Sequence, residues 1–235
     1  LSGVRPVVCE TIVAMLNKGV TPVVPSVGSV GASGDLAPLS AVALVAIGEG
    51  EAEYNGRRMG GDAAMKKAGV KPVELSAKEG LALINGTHLM AGWGSLLSHE
   101  ASTLFVAATI ATAMSIDACR ATDEFLDDRL YRARSSESMR SVAGRIRDIL
   151  NGSQIIPSHV ANDPRVQDPY SLRAAPTVLG ACWYAMGNLN AVLEYDELGA
   201  VTDNPLVFPT STGKGDILSG ANFHGMPLAI PLDTL

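Results

Sequence analysis

Gly28-Ser29-Val30-Gly31-Ala32-Ser33-Gly34-Asp35-Leu36-Ala37-Pro38-Leu39 is the stretch that the rest of the chain is built to position. Its three glycines, spaced by three, leave few side chains in the way and tolerate backbone angles that other residues resist. Ala32-Ser33-Gly34 is a run of minimal bulk. There the amide nitrogen of Gly34 can bend back onto the carbonyl carbon of Ala32, a closure that needs small residues and no β-carbon on the attacking one. Loss of water from the ring and from the Ser33 side chain then leaves an exocyclic methylene on an imidazolone. No unmodified side chain supplies so strong an electrophile.

The other local reading is a phosphate loop: Val20 to Val24 as a strand, the glycines as a turn, and Leu36 to Ile47 as a helix receiving an anion. Pro22 and Pro25 interrupt that strand. The spacing is neither G-x-G-x-x-G nor a loop ending in Gly-Lys-Ser/Thr.

Working outward, Val4 to Lys18 has helical periodicity and stops at Gly19. Asp35 is placed to cap the apolar helix Leu36 to Ile47. Tyr54-Asn55-Gly56-Arg57 reads as a turn between short strands, and Asp62 to Ala68 as a short helix ended by Gly69. Ser76-Ala77-Lys78-Glu79 reads as a capping box. Gly86 to Arg120 predicts one long buried helix, as in a bundle. Its apolar core, Ala101 to Ile116, is too short to cross a bilayer. Ser136 to Asn151 predicts an amphipathic helix with a solvated basic face of Arg140, Arg145 and Arg147. Pro169 to Glu194 predicts another long helix, and Leu206 to Phe208 with Asp216 to Leu218 a hairpin. The economical reading is one mainly α domain over 1–235, with small β-hairpins.

Composition narrows the classes. Hydrophobic residues make up 47% of 235 and aromatics 5%, which suits a packed Ala- and Leu-rich helical core. A net charge of −6 offers no basic stripe for nucleic acid. Cys9, Cys119 and Cys182 have no disulfide or metal spacing, as expected of a reducing cytoplasm. His99 and His159 have no metal-ligand spacing either, so no catalytic metal is expected. Leu1 and Leu235 carry no cap or tail chemistry, so the chain is expected to be the central piece of a longer polypeptide.

Further stretches carry polar residues suited to a site. Leu83-Ile84-Asn85-Gly86-Thr87 enters the long helix, either as a cap or as a loop aimed into a cleft. In Gln167-Asp168-Pro169-Tyr170-Ser171-Leu172-Arg173, residues 167, 170 and 173 fall on one helical face. The planar Arg173 fork suits a carboxylate, and a neighbouring Tyr can donate a hydrogen bond or relay a proton. The alternative is a capped helix with a surface Arg. Asp203-Asn204-Pro205-Leu206 and Ser219-Gly220-Ala221-Asn222-Phe223-His224-Gly225 read locally as turns.

Together these four motifs, in this order, resemble those of the aromatic amino acid ammonia-lyases and related aminomutases, and the likeness covers essentially the whole chain. The resemblance implies the long-helix bundle of that family. It implies a methylidene-imidazolone (MIO) group formed autocatalytically from Ala32, Ser33 and Gly34. It implies that Asn85 hydrogen-bonds that group, that Arg173 holds the substrate carboxylate beside Tyr170 and Gln167, that Asn204 lies near the carboxylate, and that Phe223 lies against the ring. The implied activity is non-oxidative deamination of an L-amino acid, histidine to urocanate first, with phenylalanine, tyrosine or an aminomutase as alternatives. His224 fits histidine or tyrosine lyases. His88, Ala174, Thr177 and Met226 depart from residues common in histidine lyases.

The family's catalytic base, a Tyr in a Tyr-Gly-Val-Asn-Thr-Gly-like loop, has no match here. Family sites are completed across a homotetramer, so the chain alone is expected to be inactive. The reading of a different class is a helical assembly fragment in which the ring never closes. No nucleic-acid or membrane partner is expected.

Overall fold

The computed structural model describes residues 1–30, 34–211, 213 and 215–235. In chain order its elements are α1 (Pro6–Lys18), β1 (Thr21–Pro22), α2 (Leu36–Ala46), β2 (Glu51–Tyr54), β3 (Arg57–Gly60), α3 (Gly61–Ala68), α4 (Glu79–Ile84), α5 (His88–Ala118), α6 (Asp128–Ala133), α7 (Glu137–Leu150), α8 (Tyr170–Arg173), α9 (Ala175–Ala191), a π-helix (Val192–Leu198), β4 (Leu206–Pro209), β5 (Gly215–Leu218) and α10 (Met226–Thr234). This is the mainly helical class with small antiparallel hairpins that the sequence implies. Two compact units divide the chain: Leu1–Gly94 with Val192–Ile230, and Ser95–Ala191 with Pro231–Leu235.

In the first unit, α1 ends where Gly19 takes a left-handed φ of 69° and its N–H closes onto Leu16. Strands β1, β2 and β3 form an antiparallel sheet in that order. Asn55 and Gly56, with φ of 51° and 70°, make the tight turn that pairs Tyr54 with Arg57. Only Thr21 and Pro22 pair in β1, at the sheet edge, as proline requires. Val8, Met15, Val45, Ala52 and Met65 bring α1, α2, β2 and α3 onto one core. The hairpin of β4 and β5 forms as expected, with Leu206 opposite Leu218.

Two expected caps take a different form. The Asp35 side chain does not cap α2; its Oδ2 accepts instead from the Met90 N–H at 3.0 Å, at the start of α5. At α4 only the glutamate half of the capping box forms. Glu79 Oε2 accepts from the Ser76 N–H at 2.7 Å. The same carboxylate accepts from the Arg5 backbone N–H at 2.9 Å and from its guanidinium at 2.7–2.8 Å. A distant arginine thus takes up the capping carboxylate.

In the second unit, α7 starts at Ser136, whose Oγ accepts from Met139 N–H. It buries Val142, Ala143 and Ile146 with Phe105, Ile116 and Met186. A β-carbon on Gly180 of α9 would fall 2.6 Å from the Met139 Cα, so only glycine permits this helix contact. The basic face of α7 is engaged rather than simply solvated. Arg140 pairs with Asp128 and Glu137, Arg147 donates to the Leu126 carbonyl, and Arg145 lies 4.6 Å from the Trp183 ring centroid. The helix expected from Pro169 is broken at Ala174. Pro176, which has no N–H, lies in the first turn of α9, a helix-starting position.

Helix α5 is as long as expected but not buried throughout. Phe105, Ala113 and Ile116 lie in the core, while Leu96, Leu104 and Met114 are about two-thirds exposed. An apolar helix shows more than one apolar face, and the described residues cover only part of it. At 31 residues α5 is long and apolar enough to cross a membrane by length and composition, where the shorter apolar run suggested otherwise. Its Ser and Thr hydroxyls donate back to their own helix: Ser102 to Ser98, Thr109 to Phe105, Thr112 to Ala108.

The Arg5 clamp carries a pH signature. Hydrogen bonds from Arg5 and Ser76 hold the Glu79 carboxyl at about 2, against its ordinary 4.5. A depressed carboxylate stabilises the fold above its unfolded value and loses that contribution as pH falls through the folded one. Thermal melts from pH 7 to pH 2 are therefore expected to drop between 4.5 and about 2. Glu79→Gln is expected to melt lower at pH 7 and to show a shallower acid decline.

Candidate active site

Of the Ala32-Ser33-Gly34 triad, Gly34 is described; Ala32 and Ser33 lie outside the described residues. Gly34 forms an isolated parallel bridge with Gly86, and its carbonyl accepts from Val30 N–H at 2.7 Å. The first and second sequence motifs therefore meet backbone to backbone. A β-carbon on Gly86 would fall 2.7 Å from the His88 ring and 3.1 Å from Thr202 Oγ1. Gly28 lies against the first turn of α2, 3.4 Å from Pro38 Cδ for a built β-carbon.

Asn85 is buried and ends α4 in an extended conformation, which turns it out of the helix. Its amide nitrogen points to Asp203 Oδ1 at 3.4 Å and to the Asn204 carbonyl at 3.5 Å. Asn204 Oδ1 accepts from Gly220 N–H at 2.6 Å and from Ser219 Oγ at 3.3 Å. Asn85 and Asn204, expected in one site, are thus brought together with Gly34 in the first unit. Phe223 is half-buried in the turn before α10 in the same unit. The exposed His224 accepts from Met226 N–H at 3.2 Å, a capping contact for α10.

Behind this surface lie carboxylates that carry only local signals in the sequence. Asp35 is fully buried. Glu197, on the π-helix, is 8% exposed and accepts from the Thr87 hydroxyl. Burial pushes the Glu197 carboxyl up; the Thr87 hydrogen bond opposes this, and neighbouring Asp196 and Asp35 add to it. Asp203 is 4% exposed and paired with Lys78. In the sequence Asp203 looks like a turn residue and Glu197 like one acid in an acidic run.

The third motif assembles within the second unit. Gln167 lies before the helix, and only Tyr170 to Arg173 are helical. Arg173 folds back: Nε donates to the Asp168 carbonyl at 2.9 Å and Nη2 to Gln167 Oε1 at 2.8 Å, with the guanidinium 4.3 Å from the Tyr170 ring centroid. The three residues meet as expected, by this reach rather than along one helix face. Asp168 fixes the turn from beneath, accepting from the Thr122 N–H at 2.9 Å and hydroxyl at 2.6 Å. Tyr170 is 73% exposed, and Gln167 and Arg173 edge an open groove with Arg129, Arg165 and Phe125. A planar cation stacked on a phenol beside open space is suited to a carboxylate ligand. Among the described residues no cluster of His, Cys, Asp and Glu forms a metal site.

The profile of a family described as aromatic amino acid lyase matches residues 1–235. A histidine ammonia-lyase of Treponema denticola is 49% identical over 234 residues, covering 100% of this chain and 45% of that protein. Among solved structures, histidine ammonia-lyase from Trypanosoma cruzi superposes with a TM-score of 0.84 at 36% identity, covering 100% of this chain and 42% of the other. Tyrosine aminomutase from Streptomyces globisporus superposes with a TM-score of 0.87 at 36% identity, covering 99% and 46%. The chain spans somewhat under half the length of the curated relatives it matches.

Glu197 gives this site a test of its own. A carboxyl whose folded value is raised stabilises the fold below its unfolded value and loses that contribution as pH rises through the folded one. Glu197→Gln keeps an acceptor for Thr87 and removes the buried charge. Melting curves of the two proteins are expected to agree near pH 4, below the ordinary 4.5, with Glu197→Gln the higher-melting at pH 8.

Proposed function

Because this chain belongs to the aromatic amino acid lyase family, we propose that the whole protein removes ammonia non-oxidatively from an L-amino acid, with L-histidine to urocanate as the first reading. The names of its relatives support the substrate: histidine ammonia-lyases match over the full chain at 44–49% identity. The observation that supports the site is the Gly34–Gly86 bridge, which joins the last residue of the triad to the neighbour of Asn85. Likeness to a tyrosine aminomutase keeps tyrosine or phenylalanine, and an aminomutase outcome, as the second reading.

The chemistry asks for an acidified β-proton and a better leaving group than an amine. A methylidene-imidazolone made from Ala32, Ser33 and Gly34 would supply an electrophilic carbon for that purpose. The residues here fit such a ring: Gly34 pairs with Gly86 through the backbone, and the buried Asn85 is the residue next to that contact. Arg173 grips the substrate carboxylate, exchanging its contact with Gln167 for the ligand. Tyr170 offers its exposed hydroxyl as a donor or proton relay. Asn204, its oxygen held by Gly220, keeps its amide nitrogen for the carboxylate. Phe223 supplies an apolar wall. Fixing the carboxylate at one end turns the β-carbon toward a base and replaces orientational entropy at the barrier.

The same proposal includes a homotetramer, supported by exposed apolar positions along α5 such as Leu96, Leu104 and Met114. It also includes a reducing cytoplasm, supported by three free, exposed cysteines.

An intact mass two waters below the sequence, mapped by peptides to Ala32-Ser33-Gly34, is the expected result for the ring. An unmodified mass would favour the uncyclised assembly fragment. The whole protein is expected to convert histidine faster than tyrosine or phenylalanine, followed by product absorbance. Arg173→Ala is expected to lower kcat/KM by about 100-fold or more, the worth of two charge-assisted hydrogen bonds.

A further inference from the structure

We infer that Lys78 and Asp203 are a positioning pair that fixes the direction of the Asn85 amide. This rests on the reading of Asn85 and Asn204 as site residues.

Asp203 is the meeting point. Its Oδ2 takes the Lys78 ammonium at 2.5 Å. Its Oδ1 accepts from Asn204 N–H at 2.6 Å and faces Asn85 Nδ2 at 3.4 Å. An ionised carboxylate only accepts, so the amide facing it must present its NH2 end. The carbonyl end of Asn85 is thereby turned away from Asp203, and one charge chooses the orientation of a side chain that can otherwise flip.

Lys78 makes that charge tenable. Both side chains are largely shielded, 18% exposed for Lys78 and 5% for Asp203. A buried carboxylate without its counter-ion is strongly unfavourable. Lys78 is also set in place deliberately. It immediately precedes α4 with a left-handed φ of 72°, a conformation unusual for a side chain of its size. The neighbouring Glu79, clamped by Arg5, holds the backbone there. Asn85 closes the other end of the six-residue α4. Asp203 thus contacts residues flanking both ends of one short helix, and α4 cannot shift without disturbing the pair.

The pair acts through another residue, so its test is a double-mutant cycle in the whole protein. Lys78→Met keeps the stem and removes the charge. It is expected to lower kcat/KM roughly 10- to 100-fold, the scale of a small misplacement at a reacting centre. Lys78→Arg, which keeps the charge, is expected to stay within about threefold of wild type. Added to Asn85→Ala, Lys78→Met is expected to cost less than about a further threefold, because a residue that acts through Asn85 has nothing left to position. The fraction of polypeptide two waters light at Ala32-Ser33-Gly34, a readout independent of turnover, is expected to match wild type. Arg58→Ala, which removes an exposed pair with Glu51, serves as the unchanged control.

A Lys78→Met protein with wild-type kcat/KM, a fully multiplicative cycle, or a loss explained wholly by a lower two-water fraction would each overturn the inference. Should Lys78→Met show no cooperative melt, Asp203→Asn takes its place in the cycle with the same expected outcomes. A wild-type protein with neither water loss nor turnover of histidine, tyrosine or phenylalanine would sink the proposed function and the pair with it. Turnover in wild type with a multiplicative cycle sinks the pair alone.

Discussion

Two glycines touching backbone to backbone set the terms for the first unit. A parallel bridge between Gly34 and Gly86 joins segments more than fifty residues apart, and a side chain on Gly86 would run into the His88 ring. Once that contact is made, Asp35 falls under the N-terminus of α5 and accepts from Met90. Asn85 and Thr87 then reach two different buried acids. Asn85 turns toward Asp203, and Thr87 toward Glu197. The site's polar groups are arranged by this approach and by the buried acids behind it.

Much of this was legible in the sequence because local chemistry agreed with the fold. Gly19 and Gly69 end their helices, Asn55-Gly56 makes the hairpin turn, and Ser136 caps α7. The motif residues Gln167, Tyr170 and Arg173 cluster, as do Gly34, Asn85 and Asn204. The parts not legible depend on partners distant in sequence. Nothing near Glu79 announces Arg5, 74 residues away, as the group that completes its cap. Nothing near Asp203 announces Lys78, 125 residues away. The break at Ala174 is not legible because apolar periodicity runs straight through it, while the start of a new helix turns on Pro176.

The charges show a division of labour. Surface arginines such as Arg58 and Arg129 pair with neighbours a few residues away and remain in water, where such pairs add little. Buried acids behave otherwise. Glu79 and Asp203 each have a cation, and Glu197 has a hydroxyl and an upward-shifted carboxyl. Asp203 and Glu197 are withdrawn from solvent beside Asn85 and Thr87. There they restrict which way amides and hydroxyls point, rather than adding much net stability.

The π-helix that carries Glu197 has a consequence for how this segment tolerates change. A π-turn holds one residue more per hydrogen-bonded loop than an α-helix. Val192–Leu198 is thus a stretch in which chain length, and not only composition, is specified. Deleting a single residue there would let the segment relax into an ordinary α-helix. Every following side chain would rotate by about 100°. Glu197 would swing from beneath Thr87, although no side chain in the site had been altered. Point substitutions probe the identity of these residues; a one-residue deletion probes their phase, and the site depends on both.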